Sequence, residues 1–333
     1  MKKLPLIALL LTLGAAVLAG VAWQRYQAFL GKPLAVPAAG LVFELAPGST
    51  GADIVERLAA RRLTRPGWEW KLLMRLEPQV YQAGEYRLEP GTRPRELLEL
   101  LASGRVIPYR LTLVEGWNFR QVAELVDGNE ALEHRFELSD PTQWPSLAAE
   151  LGVEHPEGWF LPETYQFVRG DSDLDLLRRA HRAMRKTLEE AWAGRREDSP
   201  LQSPYEMLVL ASIIEKETAL DEEREQIAGV FVRRLQRGMR LQTDPTVIYG
   251  LGEAFDGDIR RRDLQADTPY NTYTRHGLPP TPIAMPGRAS LWAAARPADG
   301  DALYFVADGD GGHTFSATLA EHQAAVRRFL DKQ

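Results

Sequence analysis

The sequence predicts an α+β fold that is preceded by a membrane-spanning helix, and three observations support this interpretation. The chain opens with a long stretch that carries no charged residue. A pattern of short alternating strand, glycine and amphipathic helix then occurs three times. From Asp171 onward, helical periodicity dominates. A chain of 333 residues is long enough for two or three domains.

The N-terminal segment has the composition of a membrane anchor. Residues 4–23 follow Lys2 and Lys3 and carry no charge, which approaches the ~20 apolar residues that a helix needs to cross a bilayer. The lysines precede the apolar run, so the positive-inside rule keeps that end in the cytoplasm and places the remainder outside it. The alternative is a cleaved signal peptide, with a small-residue cleavage site at residues 20–22. The length of the run favours an uncleaved anchor.

The anchor is expected to comprise residues 1–26 and to be followed by a linker over residues 27–39, because the segment from 31 to 40 is rich in Pro and Ala without periodicity.

Beyond the linker, each of three short strands ends at a glycine, and apolar residues follow six and ten positions later. This spacing of four places each apolar pair on one helix face. We interpret the region 40–130 as small α/β units packed together. The three patterns are Phe43–Gly48 with Ile54 and Leu58, Tyr86–Gly91 with Leu97 and Leu101, and Leu111–Gly116 with Val122 and Val126.

The second half of the chain is predicted to be mainly helical. Ser203 to Glu206 has the sequence of a capping box with Pro at the first helical position, and it begins a helix that extends to Leu220. The stretch from Met239 to Gly287 has little periodicity, and a long irregular segment inside a compact domain is usually functional. The other predicted elements are a helix over Asp173–Trp192, a helix from Asp221 to Gly238, a hairpin over Ala302–Phe315 and a terminal helix opened by Thr318 and Glu321.

Composition excludes several classes of function. The net charge is −6 and the basic residues form no stripe, so binding to nucleic acid is not expected. The chain has no cysteine, and its six histidines show no zinc-binding spacing, so neither a metal nor a cofactor is predicted. Asp308 and Asp310 begin like a calcium loop, but Gly312 stands where a third ligand belongs. The motifs of serine esterases and P-loop ATPases are missing from the sequence.

Glu217 is the strongest catalytic candidate from periodicity alone. It falls on the apolar stripe of the helix that begins at Glu206, whereas Glu215 points away from that stripe. A carboxyl group on a buried face near the C-terminal end of a helix has two reasons to keep its proton. Such a group is suited to protonating a glycosidic oxygen near neutral pH. The alternative is that Glu217 forms an ion pair with Arg224. The stripe consists of Leu210, Ile213 and Ile214.

Three further segments carry polar groups suited to a sugar. Glu157 and Glu163 are two carboxylates among aromatic residues, although a packed turn fixed by Pro would give the same sequence. The segment Gln242–Thr246 contains Asp244, which could instead cap a helix. The segment Tyr270–Tyr273 could be a simple loop.

The motifs in these helices and loops closely resemble those of the endolytic murein transglycosylase family, also called the YceG-like family, over nearly the whole chain. The motifs are Ala211–Thr218, Gly238–Gly250, Tyr270–Tyr273, Gly277–Pro280 and Gly311–Phe315. The resemblance implies a single-pass inner-membrane protein whose catalytic body lies in the periplasm. It implies a lysin-motif-like subdomain, which we assign to residues 40–108, and a catalytic domain, assigned to residues 109–333. It also implies one essential glutamate, which maps to Glu217.

The resemblance implies non-hydrolytic cleavage of peptidoglycan, and the short linker, which keeps the body near the bilayer, indicates nascent glycan as the substrate. An acid protonates the bond between N-acetylmuramic acid and N-acetylglucosamine, and the same residue, now a base, helps the muramyl 6-hydroxyl attack the anomeric carbon to give a 1,6-anhydro end. We expect Glu217 to serve both steps, with the substrate acetamido group in place of a second carboxylate. Peptidoglycan strands, the inner membrane and peptidoglycan synthases are the expected partners. The candidates for shaping the cleft are Glu163, Gln242, Asp244, Tyr270 and Asn271.

Two other functions remain as alternatives. A hydrolytic muramidase would need a second carboxylate about 5–10 Å from Glu217, which Asp244 or Glu163 would have to supply. A non-catalytic wall-binding scaffold would keep its function after Glu217→Gln.

Overall fold

The computed structural model describes residues 4–332, which divide into two compact units. Unit 1 contains the chain up to residue 109 together with residues 168–170, and unit 2 contains residues 110–167 and the chain from residue 171 onward. Unit 1 therefore includes both the N-terminal helix and the first two strand–glycine–helix patterns.

The described residues form helices and three two-stranded sheets, whose partners are β1–β2, β3–β4 and β5–β6. The strands are β1 (Leu41–Leu45), β2 (Gly84–Leu88), β3 (Tyr109–Thr112), β4 (Thr164–Phe167), β5 (Tyr304–Ala307) and β6 (His313–Ser316). The helices are α1 (Leu4–Gly31), α2 (Gly51–Ala60), α3 (Trp68–Leu76), α4 (Pro94–Ser103), α5 (Phe119–Asp127), α6 (Trp144–Leu151), α7 (Asp173–Ala193), α8 (Pro204–Glu217), α9 (Asp221–Gln236), α10 (Asp244–Leu251), α11 (Arg261–Gln265), α12 (Arg288–Ala295) and α13 (Leu319–Leu330).

Unit 1 is built from the first two strand–glycine–helix patterns, and both are confirmed. Strands β1 and β2 pair antiparallel, with Leu41 opposite Leu88. The apolar pairs that the spacing placed on one helix face are all buried, on α2 and on α4. Helix α3, which the sequence analysis did not predict, adds Trp70 and Leu73 to the same core. This core also contains Phe43, Leu45, Ile54, Leu58, Tyr86, Leu97, Leu98 and Leu101.

The third pattern also folds as a strand and a helix, but it belongs to unit 2. Strand β3 pairs with β4, which lies more than fifty residues later in the chain, and α5 buries Val122 and Val126. The prediction that all three patterns pack together between residues 40 and 130 is therefore wrong for the third. The spacing of apolar residues within a pattern predicts the strand and the helix that it forms. It does not predict which strand will pair with it, because that strand lies in a distant segment of the chain.

Helix α1 extends beyond the predicted end of the anchor at residue 26 and through the first part of the predicted linker. Tyr26 is buried in the core of unit 1, and the Phe29 ring contacts the Trp70 ring edge-on at 5.1 Å. This packing keeps the backbone helical as far as Gly31, and Leu34 also lies in the core. By length and composition, α1 could cross a membrane. Lys2 and Lys3 lie outside the described residues.

Unit 2 has α8 at its centre, with α7, α9, α10 and α12 packed around it. Ser203 is the N-cap and accepts a hydrogen bond from the Glu206 amide, as predicted. The Glu206 carboxylate accepts from the Gln202 amide at 2.6 Å in place of the Ser203 amide that a capping box would use. The helix ends at Glu217 and not at Leu220, because Thr218 adopts an extended conformation. The eight residues from Met207 to Ile214 are all buried.

Most of the remaining predicted elements of unit 2 are confirmed. Helix α7 agrees with its predicted range to within one residue, β5 and β6 form the predicted hairpin, and Thr318 begins α13 with a complete capping box. Helix α9 starts at Asp221, although Leu220 is its N-cap, and it ends two residues before Gly238. The irregular segment from Met239 to Gly287 contains two short helices, α10 and α11.

Candidate active site

Glu217 is the last residue of α8, and its side chain contacts Thr243 in the loop before α10. Its carboxylate accepts a close hydrogen bond from the Thr243 hydroxyl. Burial raises the pKa of Glu217 to about 7, and the negative charge of Asp244 raises it as well. The Thr243 hydrogen bond and the positive charges of His313 and Arg234 act in the opposite direction but do not outweigh burial. A carboxyl group with this pKa can donate a proton near neutral pH and accept it again.

The competing ion pair is not formed with Glu217. Arg224 lies 3.8 Å from Glu215 and also contacts Asp221. Glu215 in turn accepts hydrogen bonds from the Gly287 amide at 2.9 Å and the Ser290 hydroxyl at 2.7 Å. The two glutamates of the same turn therefore have different partners. Glu215 ties α8 to the start of α12, whereas Glu217 forms no salt bridge with an arginine among residues 4–332.

The Thr243 hydroxyl is held in place by a buried cluster of threonines. The Thr243 amide donates to the Thr272 hydroxyl at 3.1 Å, and the hydroxyls of Thr272 and Thr246 are 2.9 Å apart. The Thr246 hydroxyl donates to the Thr243 carbonyl at 2.8 Å. All three side chains are buried. The sequence analysis missed these residues, although each stands inside one of the two polar segments that it singled out.

A buried cation lies behind the Gln242 segment. Arg234 is 7% exposed and donates to the carbonyls of Leu303 at 2.7 Å and Leu241 at 2.9 Å, and to the Gln242 side-chain oxygen at 3.4 Å. Arg234 follows Ile227 and Phe231 on the buried face of α9, so a cation at an apolar position was the signal that sequence reasoning overlooked.

Gln242 itself has a φ of +51°, which is unusual for a residue with a side chain. Its amide donates to the Thr272 carbonyl at 3.2 Å, so the strained turn is fixed by the same cluster. The side chain is exposed. Strain at a position that leaves an amide group open to solvent is typical of functional sites.

Asp244 acts on Glu217, and Tyr270 lies two residues before Thr272 of the threonine cluster. The Asp244 carboxylate accepts from the Tyr273 hydroxyl at 2.6 Å, and its charge acts on Glu217. Asp244 is the first residue of α10, with Thr243 as the N-cap. The Tyr270 hydroxyl is 2.9 Å from the Thr281 hydroxyl, and its ring lies 4.9 Å from the Tyr249 ring.

Asn271 is placed beside the site, but its side chain is fully used by the loop. It is 1% exposed, and its amide nitrogen donates to three carbonyls, the shortest being Ala266 at 2.7 Å. Its side-chain oxygen accepts from the Tyr273 amide at 2.8 Å. Direct contact between the Asn271 amide nitrogen and a sugar would require these bonds to break, so its visible role is to hold the loop.

Glu163 makes its side-chain contacts in a different part of unit 2. It pairs with Arg288 at 2.9 Å, and Arg288 also donates to the Thr187 hydroxyl at 2.8 Å. None of these partners contacts Glu217 in the hydrogen bonds of residues 4–332. Glu163 is thus tied to α7 and α12.

Glu157 is a second carboxyl with a raised pKa, and it is structural. It is 2% exposed, accepts from the Phe119 amide at the start of α5 at 3.0 Å, and accepts from the Tyr249 hydroxyl at 3.0 Å. Burial raises its pKa to about 7 against the effect of these hydrogen bonds. The carboxyl therefore links α5 to α10.

A cleft of about 640 Å³ adjoins this region. Its lining includes Lys216 and Pro245, the sequence neighbours of Glu217 and Asp244, together with Tyr249. The remaining lining contains both polar and aromatic side chains, among them Asn118, Arg120, Gln121, Trp144 and Phe255. Among residues 4–332, no group of three His, Asp or Glu side chains is placed to hold a metal ion.

Comparison with known proteins identifies relatives of this chain. The YceG-like family matches residues 43–328. An endolytic murein transglycosylase of Bacillus subtilis (strain 168) is 32% identical over 269 residues, which cover 76% of this chain and 74% of that protein. One from Streptococcus pneumoniae serotype 2 is 29% identical over 271 residues, which are 72% of this chain but 49% of that protein, so the chain spans about half of its length.

The fold has a counterpart among solved structures. It is similar to the crystal structure of a YceG-like protein from Listeria monocytogenes, with a TM-score of 0.56 and 29% identity over 86% of this chain and 98% of that one. The family match extends over most of the sequence and includes both the Glu217 turn and the threonine cluster. The chain is a member of the YceG-like family.

Proposed function

We propose that this protein is an endolytic lytic transglycosylase that cleaves peptidoglycan glycan strands, with Glu217 as the acid and base. The observation that carries the proposal is a partly buried carboxyl group with a pKa of about 7, hydrogen-bonded by Thr243 at the end of a core helix. The relatives named endolytic murein transglycosylases support the substrate class.

The proposal assigns both proton steps to this one carboxyl group. Protonated Glu217 donates to the glycosidic oxygen as the bond from N-acetylmuramic acid breaks. The resulting carboxylate is stabilised by the Thr243 hydroxyl, and it accepts the proton of the muramyl 6-hydroxyl as that oxygen closes on the anomeric carbon. The product is a 1,6-anhydro end, and the substrate acetamido group stabilises the cationic intermediate. One residue with a pKa near 7 suffices for both transfers.

Other side chains are assigned supporting roles. The exposed amide of Gln242 and the polar groups of Asp244 and Tyr270 are proposed to contact the strand. Asn271 positions the loop that carries them, and Glu163 positions α12 through Arg288.

Hydrolysis is the second candidate, because Asp244 supplies a nearby negative charge. A muramidase would use this carboxylate to direct water to the anomeric carbon. Asp244 is already bound by the Tyr273 hydroxyl, which favours a role in shaping the site.

The proposal extends to location and organisation. We infer that α1 anchors the chain in the inner membrane with the body in the periplasm, that residues 40–108 form a lysin-motif-like glycan-binding subdomain, and that residues 109–333 form the catalytic domain. A membrane-proximal body fits a nascent-strand substrate and partnership with peptidoglycan synthases. The apolar character of α1 supports the anchor.

Mass spectrometry of digested peptidoglycan tests the reaction. Full-length protein in detergent should release internal fragments that end in 1,6-anhydromuramic acid. Glu217→Gln should release none, whereas Glu206→Gln, at the opposite end of the same helix, is the matched control and should retain activity. Reducing ends would identify the protein as a muramidase, and fragments from Glu217→Gln would refute the assignment of the catalytic residue.

A further inference from the structure

Unit 1 contains a pocket of about 980 Å³ between the end of α1 and the chain that follows α2. Four cations line it, and the one carboxylate among its lining residues leaves an excess of three positive charges. That carboxylate, Glu69, is already bound by Arg25 at 2.7 Å. The side chains of Lys32, Arg62 and Arg65 are exposed and make no hydrogen bond or ion pair with the described residues. A chain with a net charge of −6 thus concentrates unpaired cations in one place.

The position of this pocket along α1 places it at the level of lipid head groups. The apolar run ends at Trp23. Its ~20 helical residues at 1.5 Å each span about 30 Å, the thickness of the hydrocarbon core. Arg25 follows within one turn, and Tyr26 packs α1 into unit 1. Trp23 is 58% exposed and Trp68, next to Glu69, is 39% exposed. Exposed tryptophans are typical of the membrane interface.

One of the cations is held on a strained backbone. Arg62 has a φ of +58°, a left-handed conformation in which glycine is preferred. The Arg62 amide donates to the Ala59 carbonyl at 2.9 Å, and the Leu63 amide donates to the Leu58 carbonyl at 2.9 Å. Arg62 therefore ends α2 as a left-handed C-terminal cap, a position that glycine usually occupies. An arginine at this position costs stability and places a guanidinium in the pocket, which points to a function for the side chain.

We propose that this pocket binds the phosphate group of an anionic lipid at the outer surface of the membrane. The inference depends on the membrane anchoring proposed above. Arginine side chains match the oxygen geometry of phosphate with paired hydrogen bonds, and lysine adds a point charge. Two lipids carry this chemistry: an anionic phospholipid through its head group, and a polyprenyl pyrophosphate through its two phosphates.

Native mass spectrometry of the full-length protein in detergent tests the proposal. The probes are phosphatidylglycerol, phosphatidylcholine and undecaprenyl pyrophosphate, titrated separately. We expect phosphatidylglycerol to bind more tightly than phosphatidylcholine, and each of Lys32→Ala, Arg62→Gly and Arg65→Ala to weaken its binding about fivefold. Arg62→Gly also removes the backbone strain, so its melting temperature should equal or exceed that of the wild type. Arg75→Ala, an exposed cation of α3 outside the pocket, is the matched control.

Each outcome decides between explanations. Tighter binding of undecaprenyl pyrophosphate than of phosphatidylglycerol would assign the site to a lipid-linked substrate, and equal binding would assign it to phosphate head groups in general. Equal affinity for phosphatidylglycerol and phosphatidylcholine, or equal losses in Arg75→Ala and in the pocket variants, would refute the proposal. Cleavage of peptidoglycan by the same variants is measured separately, so a failure of the proposed reaction is distinguishable.

Discussion

Replacing Thr243 with valine should shift the pH dependence of strand cleavage to higher pH. The Thr243 hydroxyl donates to the Glu217 carboxylate and so lowers its pKa, while burial raises it to about 7. A hydrogen bond to a charged group is worth about 1.5–3 kcal/mol, and one pKa unit corresponds to about 1.4 kcal/mol. Loss of this bond should therefore raise the pKa of Glu217 by about one to two units. Valine has nearly the same volume, so the buried cluster should remain packed.

The assay is the initial rate of release of anhydro-ended fragments from labelled strands over a wide pH range. If Glu217 is the acid as proposed, it must be protonated to act, so the rate should fall as pH rises through its pKa, and the alkaline limb of the profile should move upward in Thr243→Val. Thr246→Val is the control, because Thr246 belongs to the same cluster without touching Glu217. An alkaline limb that stays in place, moves to lower pH, or moves equally in both variants would refute the reasoning.

Three further predictions concern stability. The pKa of Glu157 is about 7 in the folded chain against a usual value of 4.5, so the folded state binds this proton more tightly than the unfolded state does. The proton therefore contributes to the free energy of unfolding below about pH 4.5, and this contribution is lost as pH rises through 7. The free energy of unfolding of the wild type should fall by about 3 kcal/mol over this pH range because of Glu157, and Glu157→Gln should abolish that part of the fall. Urea denaturation at several pH values measures it. Arg224→Met should lower the free energy of unfolding by about 3 kcal/mol, because it leaves the Glu215 carboxylate buried without its cation. Gln242→Gly should raise the free energy of unfolding by about 1 kcal/mol by relieving a φ of +51°, and should slow cleavage because the amide group is lost.

Each of these predictions has a contrary outcome. A wild-type decline that Glu157→Gln leaves unchanged would mean that another group titrates in this range. An Arg224→Met variant as stable as the wild type would show that the hydrogen bonds from Gly287 and Ser290 suffice for the Glu215 side chain. A Gln242→Gly variant with full activity would remove Gln242 from the substrate-binding residues.

The sequence was most informative where local pattern decides structure. Spacings of four identified the buried faces of α2, α4 and α5, and the apolar run of α8 identified its burial. The helical position of Glu217 also distinguished it from Glu215, which contacts α12 instead.

The sequence was least informative where distant segments meet. In the pairing of β3 with β4, the hydrogen bond between Thr112 and Thr164 joins residues 52 positions apart. In the threonine cluster, the hydrogen bond between Thr243 and Thr272 joins residues 29 positions apart. No periodicity reports such contacts. Asn271 shows a second limit, since an amide suited to a sugar is chemically identical to one that satisfies the carbonyls of its own loop.

The packing of Tyr26 and Phe29 into unit 1 has a consequence for any soluble form of the protein. A chain that begins at residue 32 would lose both rings from that core and leave the Trp70 face open to water. Exposed apolar surface of this kind promotes aggregation. If α1 anchors the chain in a membrane as proposed, a protease that cut within residues 27–31 would both detach the chain and damage unit 1, so release from the membrane and loss of unit 1 would be one event.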